Sequence, residues 1–237
     1  MAKNDSFVHL HSHSEYSMLD GAARVGPLVD AVAQQGMPAI AVTDHGNMFG
    51  AFDFWKSAKD RGIKPIIGIE AYLTPGTHRS DRTRVRWGDG VGDDVSGAGA
   101  YTHMTLLAET TEGMHNLFRL SSLSSIEGYY FKPRMDREIL EQYGNGIIAT
   151  TGCPSGEIQT RLRLGQYDEA LKAASEFQAI FGKDNFFCEI MDHGLEIERR
   201  VQKDLRQLSK DLNMPLVATN DLHYVHKEDA ESHSALL

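Results

Sequence analysis

Cysteine is scarce in this chain. Two occur in 237 residues, Cys153 and Cys188, far apart. Such a pair gives no disulfide framework, and a reducing cytoplasm is the expected setting. Long apolar runs are missing too, so no membrane-spanning helix is expected, and the N-terminal MAKNDS lacks the apolar stretch of a signal peptide. Positive charge is outnumbered: 24 Lys and Arg stand against 33 Asp and Glu, a formal net charge of -9. That balance argues against binding nucleic acid through bulk charge, but leaves open a local basic patch or bound metal. No GxGxxG follows the first apolar segment, which disfavours a dinucleotide-binding fold.

What is present is an alternation. FVHLHSH, AIAVTDHG, KPIIGIEAYL, YTHMTLLAE, GIIATTG, NFFCEIMD and PLVATNDLHY read as seven strands. Between them lie segments of helical apolar spacing: VGPLVDAVAQQG, GAFDFWKSAKDRG, TEGMHNLFRLSSLSSIEG, Asp136 to Tyr143, one long helix from Glu157 to Phe181, and LEIERRVQKDLRQLSKDLN. Apolar, β-branched strands alternating with helices predict an α/β fold, either an open doubly wound sheet or a closed βα barrel. In barrels the chemistry gathers at the C-terminal ends of the strands.

The unusual polar residues fall largely there. His11 and His13 end the first strand and Asp20 follows. Asp44 and His45 end the second, Glu70 the third; Cys153 follows the fifth, and Asp221 and His223 end the seventh. His9, deeper in the first strand, is expected to pack beneath the others. All are residue types that ligate metals, and their number exceeds one tetrahedral site. The mixture suits zinc, with manganese as the alternative, in a cluster of two or three ions. Such clusters activate water and clamp phosphate, so phosphoester hydrolysis is the expected chemistry.

HSHSEYSMLDG, TDHGN, GIEAYL, YTHMTLLAE, TTGCPSGEI and TNDLHY together resemble the PHP family, named for polymerase and histidinol phosphatase. GIEAYL, GYYFKPRMD and ATNDLHYVHKEDAESHSALL resemble, more narrowly, the N-terminal domains of bacterial replicative DNA polymerase III alpha subunits. The resemblance implies a single PHP domain over residues 1–237, belonging to a longer polymerase chain. It implies a distorted seven-stranded (βα)7, TIM-like barrel with three metals at the strand C-termini. By motif, His11, His13, Glu70 and Asp221 would hold one ion. Glu70, His103 and Cys153 would hold a second, and Asp20, His45 and His223 a third. The implied activity is 3′→5′ exonuclease proofreading during DNA replication in the cytoplasm. The implied partners are the 3′ end of a primer strand, the rest of the polymerase and other replisome subunits, with no membrane. Alternatives are a small-molecule phosphatase of the histidinol-phosphatase type and a metal-stabilised structural domain without catalysis.

Two ligand positions stay open at this point. His103 opens its strand, the wrong end for a parallel barrel, and His78 is the reserve. Cys153 reads as a zinc thiolate or as a packed apolar residue, and Cys188 as core. Asp44 is expected to orient a histidine. His193 could face the mouth; His226 and His233 are expected at a surface or domain interface, and His115 is given no role. Residues 74–100 read as a mobile loop insertion. Within it Arg79, Arg82, Arg84 and Arg86 precede Trp87, and Lys132 and Arg134 follow in GYYFKPRMD. These seven are weaker candidates for binding the DNA strand.

Overall fold

The computed structural model describes residues 6–88 and 96–237. Of the loop expected to be mobile, 74–100, residues 89–95 lie outside the described residues. The chain divides into two compact units, one made of the residues up to Glu70 with Thr219–Leu237, the other of Ala71–Ala218.

In the first unit, Val25, Leu28, Val29 and Val32 recur at helical spacing and are buried on one face of α1 (Val25–Gln34). Gly36, at φ +70°, then turns the chain beyond the helix. Strand β1 (Ala39–Val42) is buried at all four positions. It pairs in parallel with β2 (Lys64–Leu73), from Ala39 opposite Lys64 to Val42 opposite Ile67. Helix α2 (Ala51–Asp60) buries Phe54 and Ala58 between them in sequence, and these join α1, Ile40 and Ile67 in one apolar core.

The expected first strand is not a regular strand. It makes single bridges instead, His9 to Ile40, Ser12 to Leu222 and Ser14 to Ala23. Backbone bonds from Ala41 N to the His9 carbonyl and from His13 N to the Leu222 carbonyl hold it on both sides. Its residues are therefore fixed as a strand would fix them, without a continuous ladder.

The second unit begins within β2. It adds β3 (Thr102–Ala108), α3 (Thr111–Ile126), the short β4 (Arg134–Met135), α4 (Arg137–Tyr143) and β5 (Ile147–Thr150). It continues through α5 (Glu157–Arg163), α6 (Tyr167–Phe181), β6 (Phe186–Ile190), α7 (Glu196–Asp211) and β7 (Leu216–Ala218). The expected single helix over 157–181 is two, because Gly165 at φ +70° breaks it. A further helix, α8 (Ala230–Leu236), follows in the first unit.

Hydrogen bonding orders the seven strands β1-β2-β3-β5-β6-β7, with β4 on β2, an α/β architecture of the TIM-like class. β5–β6 and β6–β7 are parallel, but β3 and β5 are antiparallel, with Leu106 opposite Ala149 and Ala108 opposite Ile147. That reversal matters for the site, because it brings the start of β3 beside the end of β5.

Helix α3 is capped by the Thr110 hydroxyl, which accepts from Gly113 N. A Cβ on Gly113 would lie 1.7 Å from the Gly146 carbonyl oxygen, closer than any atom can sit. Gly113→Ala is therefore expected to lower the unfolding free energy by about 1–3 kcal/mol. Chemical denaturation would show this as a lower midpoint, and an unchanged midpoint would contradict the close approach.

Candidate metal centre

The centre grows from the segment between β1 and Leu222. Its bridges alternate, so His11 and His13 project together and both are fully buried. Glu70 enters from β2, where Glu70 N donates to the carbonyls of Thr43 and Asp44. Asp221 enters from the last segment with φ +43°, a left-handed conformation that aspartate adopts more readily than most residues with a side chain.

Four side-chain atoms converge here. His11 Nε2 lies 3.3 Å from Glu70 Oε2 and 3.3 Å from Asp221 Oδ1. His13 Nε2 lies 3.0 Å from the same Glu70 oxygen and 3.1 Å from Asp221 Oδ1. Bonds of about 2.1 Å to one tetrahedral ion would set its ligands about 3.4 Å apart. The donor set of two imidazole nitrogens and two carboxylate oxygens, at these spacings, fits a divalent cation. Burial alone would depress the His13 imidazolium. Hydrogen bonds to Asp221 and Glu70 overcome this and push its pKa up to about 9. Burial would likewise raise Asp221, yet His11 and His13 hold it well below the usual carboxylate range.

A second group adjoins it in the same unit. His45 Nδ1 stands 3.1 Å from Glu70 Oε2, so three imidazoles face one carboxylate oxygen. The other nitrogen, His45 Nε2, lies 2.5 Å from Asp20 Oδ2, and His223 Nε2 lies 3.4 Å from it. The His13 ring stacks on His45 at 4.2 Å between centroids and sits 4.3 Å from His223. Burial would raise Asp20, but His223 and His45 hold it well below its ordinary value.

The supporting residues fix which ring nitrogens can act as ligands. Asp44 is buried and accepts from Ser14 N at 2.7 Å, the Ser14 hydroxyl at 2.8 Å and the Ser17 hydroxyl at 2.8 Å. Ser17 has one hydroxyl proton, and Asp44 takes it, so at 3.1 Å from His13 Nδ1 the Ser17 oxygen must accept. Nδ1 thus carries a proton, and His13 Nε2 is the nitrogen that a metal would take. Asp44 therefore orients a histidine through Ser17, as expected of it in role though not in route. His223 Nδ1 donates to the Asp221 carbonyl at 2.8 Å, which leaves its Nε2 toward Asp20. His233 is half-buried on α8. Its Nε2 is 2.8 Å from the Asp20 carbonyl oxygen and steadies that residue. Residue type singles out neither Ser17 nor His233 for these roles: a serine in a motif does not reveal which groups its hydroxyl joins, and His233 meets Asp20 across most of the chain.

In the second unit, His103 and Cys153 face each other, Sγ to Nδ1 3.7 Å. The antiparallel pairing of β3 with β5 accounts for this: the start of one strand meets the end of the other. His103 N also donates to the Ser155 carbonyl at 3.1 Å. Its place at a strand N-terminus is thus no obstacle. His78 is elsewhere in that unit, with Nε2 3.8 Å from Asp136 and 3.6 Å from Glu138. Glu198 holds His193, at 2.5 Å from Nδ1 and 2.7 Å from its backbone N. Cys188 is buried in β6, and burial pushes its thiol up to about 12, as a core residue.

Three of the seven strand-binding candidates are structural. Trp87 is 1% exposed and lies under the Arg161 guanidinium at 4.2 Å, so it cannot stack a base. Arg134 is 1% exposed and donates to the carbonyls of Gly128, Ala100, Arg79 and Asp81. Arg79 pairs with Asp136 and Glu127. Arg82, Arg84, Arg86 and Lys132 are exposed. Arg84 lies over the exposed Phe131 ring at 5.2 Å, and Lys132 over Tyr72 at 5.4 Å.

Ser17→Ala removes the acceptor that fixes the His13 ring. It is expected to weaken zinc binding by about 10–100-fold, measured by competition with a chromogenic chelator. Unchanged affinity would show that Ser17 does not orient the ligand.

The PHP domain family profile matches residues 9–193. Among curated relatives, DNA polymerase III subunit alpha of Saccharopolyspora erythraea is 60% identical over 242 residues, covering 98% of this chain and 20% of that protein. The same-named subunits of Mycobacterium tuberculosis and Thermus aquaticus are 57% and 44% identical, covering 98% and 100% of this chain and 20% and 19% of theirs. The chain thus spans about a fifth of the length of these relatives. Two solved structures share the fold. An amidohydrolase from Chromobacterium violaceum has a TM-score of 0.55 at 14% identity, covering 97% of this chain and 96% of that one. A protein named for metal-dependent phosphoesterase activity, from Bifidobacterium adolescentis, has a TM-score of 0.51 at 12% identity, covering 98% and 96%.

Proposed function

The chain belongs to the PHP domain family, and on that premise we propose that it is a metal-dependent 3′→5′ exonuclease of a replicative DNA polymerase. The observation that carries the reading is the convergence of His11, His13, Glu70 and Asp221, flanked by Asp20, His45 and His223. Bound zinc, or manganese, would activate water and neutralise the charge of a phosphodiester in its transition state. Three ions are the expected complement.

The chain's own residues do the rest. Glu70 and Asp221 supply negative charge that offsets the cations, and Asp44 with Ser17 keeps a proton on His13 Nδ1, so that Nε2 is the nitrogen from which a cation would displace a proton. His223 is held in its tautomer by the Asp221 carbonyl, and His233 fixes the backbone at Asp20. Arg82, Arg84, Arg86 and Lys132, with Phe131 among them, offer phosphate contacts and a stacking face to a polynucleotide. A small monoester would not need that patch, which favours DNA over a histidinol-phosphate-like substrate. The relatives' names support a place in replication beside the polymerase and its replisome partners, in the cytoplasm. No helix among the described residues is long and apolar enough to cross a membrane.

A 5′-labelled primer–template with a mismatched 3′ end tests this. The zinc-loaded chain is expected to shorten the primer from its 3′ end. Asp221→Asn, with unchanged circular dichroism, is expected to be at least about 100-fold slower. Chelation should abolish digestion and added zinc restore it. Digestion that survives both the substitution and the chelator would place the activity elsewhere.

A further inference from the structure

Two short segments of the first unit carry side chains that a soluble surface would be expected to cover. Met18 and Leu19 are 62% and 76% exposed, and they immediately precede the ligand Asp20. Phe49 is 70% exposed and lies four residues after the ligand His45. Asp20 and His45 meet at 2.5 Å, so both segments leave the same pair of ligands.

The two segments are also fastened to each other. Asn47 Nδ2 donates to the Tyr16 carbonyl at 3.1 Å and to the His45 carbonyl at 3.0 Å, and its Oδ1 accepts from Phe49 N at 3.0 Å. The Tyr16 ring packs against Gly50 so closely that a Cβ there would be 2.5 Å from it. Met18 adopts φ +57° and ψ −116°, a conformation that side-chain-bearing residues rarely occupy. The surrounding bonds enforce that backbone, and strain retained beside a ligand set is a mark of a functional constraint. Exposed apolar side chains on two fastened segments that both lead from a polar site similarly mark a surface that something covers.

We propose that Met18, Leu19 and Phe49 form an apolar rim that seats the terminal nucleobase of a single-stranded 3′ end. This rests on the phosphodiesterase reading, since the strand's phosphate would be held at the adjacent ligands. The chemistry suits a base of any identity. Every base has an apolar face for Phe49 to stack on, and aliphatic side chains such as Leu19 and Met18 wedge against bases without reading their edges. No polar side chain belongs to the rim, so it would grip the end of a strand without selecting its sequence, as removal of any mismatched nucleotide requires.

The test uses a single strand whose last linkage is a phosphorothioate, to resist cleavage, with 2-aminopurine either at the 3′ terminus or in the interior. The zinc-loaded chain is expected to change the emission of the terminal probe and to leave the interior probe far less affected. Leu19→Ala and Phe49→Ala are expected to bind the terminal-probe strand about tenfold more weakly and to abolish the emission change. Ile126→Ala, which removes another exposed side chain on α3, is expected to keep both. Equal response of the two probe positions, or full retention of the response by Leu19→Ala and Phe49→Ala, would overturn the proposal and leave the rim to another partner. Hydrolysis of bis(p-nitrophenyl) phosphate by the native chain reports on the phosphodiesterase reading separately. Its absence would defeat that reading whatever the fluorescence shows.

Discussion

One oxygen organises the first unit. Glu70 Oε2 faces His11, His13 and His45 at 3.3, 3.0 and 3.1 Å, inside a region with almost no water contact. Three imidazoles, a buried carboxylate and a half-buried one in one place are costly unless positive charge is shared among them. A proton can supply part of it, and the elevated His13 pKa shows how strongly the carboxylates demand it. A divalent cation supplies it better, because it satisfies several ligands at once. The buried Asp44, the Ser17 hydroxyl and the Asp221 carbonyl then follow as the groups that place a proton on Nδ1 of His13 and of His223.

Much of this was legible in the sequence because ligand chemistry is local. HSH, DHG, GIE and NDLH each place a ligand at the end of an apolar run, and alternation of strands and helices says where such ends gather. Six of the seven observed strands coincide with runs read as strands. The first run fails as a regular strand because its hydrogen bonds are divided between single bridges on both sides, a matter of tertiary register that no local pattern encodes. The seventh is made up by Arg134–Met135, two residues too few to leave a periodic signal.

Strand direction was the larger loss. Apolar periodicity is the same whichever way a strand runs, so nothing in YTHMTLLAE announces that β3 opposes β5. Read as parallel, it makes His103 look misplaced; read as antiparallel, it explains why His103 meets Cys153. The arginines taught the complementary lesson. HRSDRTRVRW and GYYFKPRMD look alike as cationic, aromatic segments, yet Arg134 and Trp87 are interior while Arg84 and Lys132 are exposed. Four backbone carbonyls claim Arg134, and backbone acceptors are invisible to composition.

The central claim is that Glu70 gathers cations and that the surrounding histidines are ligands to them. The direct measurement is metal content by plasma mass spectrometry after exhaustive dialysis, on the native chain and on Glu70→Gln, which keeps the shape and removes the charge. The account predicts more than one transition-metal ion per native chain and loss of most of that metal in Glu70→Gln, with the circular dichroism of both proteins alike. Equal metal in the two proteins would contradict it, as would a correctly folded native chain that retains none.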